Sequence, residues 1–134
     1  MTDAPDLTAL VNEQMPLAAT LGIRMRGGPD EVEATLAWAV ELCTAGGVLH
    51  GGVLMAVADS AGAVCAFLNL PPGATTSTIE SKTNFFAAVR EGEVLARARP
   101  LHRGRTTIVV ETDLFDVAGR HVARTTQTQA VLAS

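Results

Sequence analysis

With 134 residues, 48% of them apolar, the chain is long enough for one hydrophobic core and too short for two. Four Phe, one Trp and no Tyr leave that core to Ala, Val and Leu. A net charge of −4 argues against a nucleic-acid partner, and two cysteines outside any CxxC or Cys/His spacing imply neither a disulfide framework nor a metal site, which fits a reduced, cytoplasmic setting.

Residues 1–20 begin Met1-Thr2-Asp3-Ala4-Pro5-Asp6, acidic where a secretory signal is basic, so export is not expected. Leu7, Leu10, Val11 and Gln14 form a short amphipathic pattern that Pro16 ends or bends. Gly27-Gly28-Pro29-Asp30 reads as a turn. Over 31–41, Val32, Ala34, Leu36, Trp38 and Val40 alternate with Glu31, Glu33 and Thr35, which predicts a half-buried strand. Residues 48–70 predict a long buried helix stopped by Pro71-Pro72-Gly73. Its His50, Asp59, Ser60 and Asn69, and its lack of basic flanks, count against a membrane span.

Four strand-like stretches follow at 76–86, 93–100, 106–115 and 120–132. The short, Gly-containing connectors between them, Arg90-Glu91-Gly92, residues 101–105 and Asp116-Val117-Ala118-Gly119, predict antiparallel hairpins. The order implies an α+β fold: one antiparallel sheet of five or six strands around a long central helix. It forms a single domain over 1–134 with a helical segment at 1–20. Trp38, Cys65, Phe67 and Phe85 are expected in the core, and His121 is expected to be exposed.

His50-Gly51-Gly52, with Asp59 nine residues after the histidine, is the most informative segment. A helix that starts at two glycines offers backbone N–H groups with no side chain in the way, suited to a developing oxyanion. His50 would shape that turn. Asp59 is a carboxylate in an apolar run, and three of its helical neighbours, Ala56, Gly62 and Ala63, are small, which implies space beside it. Taken alone, Asp59 reads first as a satisfied polar residue at a helix or subunit contact, and the glycines read equally well as an ordinary helix start. In Leu101-His102-Arg103-Gly104-Arg105, two guanidinium groups could clamp phosphates or simply form a solvated basic turn. The polar run Thr75-Thr76-Ser77-Thr78 opening the next strand could bring one hydroxyl near Asp59, or serve only as turn chemistry.

The segment from Val48 to Leu54 with Asp59, together with Pro100 to Arg105 before a strand, resembles the hotdog-fold acyl-CoA thioesterases, in particular the phenylacetate-pathway (PaaI-like) branch. The resemblance covers most of the chain after about residue 21. It implies a homodimer whose sheets join, with a tetramer as a further possibility, and active sites at the subunit interface. The Gly52 N–H would polarise the thioester carbonyl, with Gly51 beside it and His50 holding the loop. Asp59 of the partner subunit would be nucleophile or general base. Where relatives carry Asn or Gln six residues before the histidine, this chain has Thr44, a shorter side chain with one hydroxyl. Thr78 falls where the family supplies a hydroxyl, and His102, Arg103, Gly104 and Arg105 fall where it binds the nucleotide of coenzyme A. No cofactor beyond the coenzyme A of the substrate, no metal and no membrane are expected. A hydratase or dehydratase of acyl thioesters on the same fold, or an acyl-CoA binding module without activity, are the alternatives. Along one helix Gly52 and Asp59 lie two turns apart, more than about 10 Å, too far for one acyl carbon. Each helix therefore carries halves of two sites.

Overall fold

The structure, a computed structural model, describes residues 4–133. Two helices, α1 (Thr8–Gln14) and α2 (Pro16–Leu21), divide the N-terminal amphipathic segment at Pro16, which can start a helix but not continue one. β1 (Arg24–Gly28) and β2 (Glu31–Ala37) form a tight hairpin. A Cβ at Gly27 would lie 2.3 Å from the Glu31 carbonyl oxygen, so this turn admits only glycine. β2 stops at Ala37, short of the predicted 41. Its ladder partner begins at Glu93, opposite Ala37, and beyond it the Trp38 N–H bonds the Gly92 carbonyl instead. Val40–Leu42 is a single 3₁₀ turn with Val40 71% exposed. The apolar alternation outlasts the strand that it would have lined.

α3 (Gly51–Phe67) is the central helix, shorter at both ends than the apolar run. Leu54, Val57, Ala58, Ala61 and Cys65 are buried on its sheet side. Burial pushes the Cys65 thiol up to about 11, which removes it as a thiolate at neutral pH. β3 (Thr75–Phe85), β4 (Glu93–Arg103), β5 (Thr107–Phe115) and β6 (His121–Leu132) follow. Together with β1 and β2 they make one antiparallel sheet in the order β1-β2-β4-β5-β6-β3. The β4–β5 and β5–β6 hairpins are as expected, but β3 and β4 form none. β3 pairs with β6, Thr83 opposite Thr125, at the far edge of the sheet. Residues 86–92 are a crossing rather than a turn: the Phe86 N–H bonds the Val122 carbonyl (2.8 Å), and the Val89 carbonyl accepts from the Leu49 N–H (2.9 Å). β4 continues past Pro100 through a register shift, so His102 and Arg103 stand on the strand.

The two outer strands end differently. On β1, the Leu7 N–H bonds the Met25 carbonyl (2.8 Å), the Gly27 N–H bonds the Pro5 carbonyl (3.1 Å), and the Thr8 hydroxyl meets both polar groups of the Met25 backbone. That edge is covered. β3 is exposed along most of its length, including Ile79 at 62%. Phe67 and Phe85, expected in the core, are also at the surface: Phe67 is the last residue of α3, and Phe85 ends β3 beside Gly51.

The sheet face away from α3 carries a ladder of ion pairs, Arg97–Glu33 (3.0 Å), Arg99–Asp113 (3.1 Å), Arg124–Asp113 (2.7 Å) and Arg99–Glu111. His121 belongs to this ladder and is half-buried, not exposed: its Nε2 lies 2.8 Å from Asp113, and its ring packs on Phe86 and Phe115. Burial alone would raise the Asp113 carboxyl. The bonds from Arg124, Arg99 and His121 outweigh burial and hold it below the usual carboxylate range. Among the described residues, no helix is long and apolar enough to cross a membrane.

Candidate active site

The start of α3 is built by a loop that holds its own backbone. The Thr44 N–H bonds the Val48 carbonyl (2.8 Å), and the His50 N–H bonds the Leu42 carbonyl (2.9 Å). His50 is the N-cap: its Nδ1 accepts the Gly52 N–H at 2.8 Å. The Gly52 amide, the expected donor to a carbonyl, is therefore already engaged. The Gly51 N–H, at the first helical position, has no acceptor among the described residues and is the available donor at this end. A Cβ on Gly51 would sit 3.2 Å from the Phe85 ring, which walls the helix start. Thr44 is exposed, and its hydroxyl has no partner among the described residues.

Asp59 lies two turns along, on the flank of α3 beside β3 and β6. In the single chain it is exposed, contrary to the buried position expected of it. Its Oδ1 has two long contacts, 3.5 Å from the Thr78 hydroxyl and 3.4 Å from Gln127 Nε2. No described residue bonds Oδ2. Thr78 is thus brought to Asp59, although its hydroxyl points mainly at Gln129 Oε1, 2.6 Å away.

Gln127 and Gln129, absent from the sequence reading, anchor a polar row beneath Asp59. Both are fully buried on β6. Gln127 Nε2 donates to Gln129 Oε1 (2.9 Å), and Gln129 Nε2 donates to the Thr76 hydroxyl (3.1 Å). The only sequence signal was that residues 125–129 are polar at every position, so that one face of β6 must point polar groups at α3 whatever the register. This row also changes the meaning of Gly62. A Cβ there would fall 2.0 Å from Gln127 Oε1, so the small residue leaves room for the glutamine rather than empty space for a ligand.

The basic turn is partly committed. Arg103 bonds Asp30 (2.8 Å) across the sheet, while the His102 ring packs against Gly104, where a Cβ would lie 2.5 Å from Nε2. Arg105 is exposed, with no partner among the described residues. One exposed guanidinium, not a pair, is available for an anion.

Residues 46–123 match the family model of the thioesterase superfamily. The 1,4-dihydroxy-2-naphthoyl-CoA hydrolase of Escherichia coli is 31% identical over 105 residues, covering 78% of this chain and 77% of that enzyme. The solved thioesterase of Haemophilus influenzae superposes with a TM-score of 0.83 at 31% identity, covering 87% of this chain and 82% of that one. The Escherichia coli PaaI protein shares the fold, with a TM-score of 0.84 at 19% identity over 94% of this chain and 91% of that one. With its six-stranded sheet wrapped around α3 and its helix-start and Asp59 motif, the chain belongs to the thioesterase superfamily and is a hotdog-fold thioester hydrolase.

Proposed function

We propose that the protein hydrolyses an acyl-CoA thioester to the free acid and coenzyme A as a homodimer with two-subunit sites. The observation that carries this reading is the geometry of α3. The Gly51 N–H is free at its start, and Asp59 is eight residues on, about 12 Å along the axis at 1.5 Å per residue. One thioester carbonyl cannot reach both groups on one helix. It can reach Gly51 of one subunit and Asp59 of the other when two copies pack antiparallel through the open β3 edge and the uncovered face of α3.

In such a site, the Gly51 N–H stabilises the oxyanion that forms as the carbonyl carbon becomes tetrahedral. Asp59 Oδ2 attacks that carbon or takes a proton from the attacking water, while Oδ1 stays with Thr78 and Gln127. The carbon–sulfur bond then breaks and the coenzyme A thiolate leaves. When water is the attacking group, the proton that Asp59 took from it passes to the thiolate. When Asp59 attacks, the acyl–Asp59 anhydride left behind is cleaved by a water that releases the acid, restores the carboxylate and supplies that proton. His50 fixes the helix start, and Thr44 lines the loop before it. Arg105 is the group to bind a coenzyme A phosphate, with His102 and Gly104 shaping its turn and Arg103 tied to Asp30. The aromatic acyl-CoA in the name of the Escherichia coli relative makes aryl-CoA the first substrate to try.

The test is release of free thiol from a panel of aromatic and aliphatic acyl-CoAs. Wild type is expected to turn over at least one of them, and Asp59→Asn to lose about a thousandfold in kcat with its fold intact. No turnover of any member, or an Asp59→Asn rate equal to wild type, overturns the reading.

A further inference from the structure

The loop that starts α3 bonds its own backbone, and residues 86–92 brace it from outside with the help of two arginines. Two contacts run from this crossing to the Gly51 loop, the Leu49 N–H on the Val89 carbonyl (2.9 Å) and Arg90 Nη1 on the Gly46 carbonyl (3.1 Å), and the ring of Phe85, the β3 residue just before the crossing, walls Gly51. Leu49 and Val89 are almost fully buried, so the bond between their backbones is shielded from water. The β5–β6 turn grips the other side of the crossing. Arg120 Nη2 donates to the Ala88 carbonyl at 2.8 Å, and its Nε donates to Asp116 Oδ2 at 3.0 Å. Asp116 is itself fixed by the backbone N–H groups of Arg120 (2.8 Å) and Ala118 (3.0 Å), so the guanidinium is aimed before it reaches the crossing. These bonds, led by the one from the Arg120 backbone, keep the Asp116 carboxyl below its usual range and therefore charged.

We propose that Arg120, aimed by Asp116, and Arg90 are positioning residues for catalysis: they clamp the 86–92 crossing against the loop that presents the Gly51 N–H. Neither touches the reacting atoms. A displacement of about 1 Å in a catalytic donor can cost as much as a hundredfold in rate, so a contact two bonds removed can still be read in kcat. The inference rests on the proposed role of the Gly51 N–H, and the experiment keeps the two apart.

Four variants are assayed for thiol release: Arg120→Gln, Arg90→Gln, Gly51→Pro and the double variant Arg120→Gln with Gly51→Pro. Proline removes the N–H at a first helical position that tolerates it, and Gly51→Ala, which keeps the N–H, controls for the added Cβ beside Phe85. Arg24→Gln removes an ion pair with Glu93 on the outer face and serves as the surface-arginine control. Arg120→Gln is expected to lower kcat about tenfold with KM unchanged and to cause no further loss in the Gly51→Pro background. Arg90→Gln is expected to give a loss of the same kind, and Arg24→Gln none. If Gly51→Pro matches Gly51→Ala, the donor assignment fails, and this inference with it. If Gly51→Pro is impaired but Arg120→Gln retains wild-type kcat, or multiplies the loss in the double variant, the clamp is refuted and the donor assignment stands.

Discussion

The two edges of the sheet are finished differently within the chain. β1 is finished within the chain, its backbone groups taken up by Pro5, Leu7 and Thr8, and the neighbouring outer face is neutralised by a ladder of paired charges. β3 is 11 residues long, exposed, and next to the face of α3 that carries Asp59. In the proposed dimer this open edge is where the second copy docks. The covered side should govern the stability of one chain, and the open side should govern assembly and, through assembly, activity.

The largest expected effect breaks the open side. Ile79→Lys places a charge on the register shift of β3 and should weaken association at least about tenfold while leaving the thermal midpoint of the single chain near wild type. Sedimentation at a series of concentrations should show the shift toward monomer, and thiol release should fall with the dimer fraction. A fully dimeric Ile79→Lys protein would remove β3 from the interface.

On the covered side, Asp113 links stability to pH. Its folded-state carboxyl is held below the ordinary range, so its contribution is complete above the unfolded value and is lost as pH falls through the folded one. Urea unfolding in acid should therefore show wild type losing stability with falling pH more steeply than Asp113→Asn. Equal slopes would mean that the Arg99, Arg124 and His121 contacts do not stabilise the carboxylate. The smallest effect is expected at Thr8, whose hydroxyl meets both polar groups of the Met25 backbone. Thr8→Val should cost about 1 kcal/mol by chemical unfolding and leave the dimer untouched. A change in association here would erase the contrast between the edges.

Most of the architecture was legible in the sequence because it is written in periods: the alternation over β2, the apolar run of α3 and the glycines at the hairpins. The position of β3 was not. Residues 86–92 have the length and the glycine of a hairpin, and only backbone bonds to Val122 and Leu49, far off in sequence, make them a crossing. The site divided in the same way. His50, the glycines and Asp59 announce themselves by type and spacing, whereas Thr78 is one of four polar residues at a strand start and only the family resemblance picks it out. Gln127 and Gln129 lie in a stretch where every residue is polar, so no period separates the inward from the outward set. Gly62 is an example of the right residue with the wrong meaning: small side chains signal room, but not what fills it, and here a glutamine from β6 does.

The claim that each site takes its donor from one chain and its carboxylate from the other has a direct measurement. Asp59→Asn and Gly51→Pro homodimers, each inactive, are mixed, dissociated and allowed to reassociate at equal concentration, and thiol release is followed. Half of the resulting dimers are hybrids, and each hybrid has one site with both an intact Gly51 N–H and an intact Asp59. The account therefore predicts recovery of about a quarter of wild-type activity. If exchange is verified by mass and the mixture stays as inactive as its parents, the donor and the carboxylate act within one chain and the shared site is contradicted.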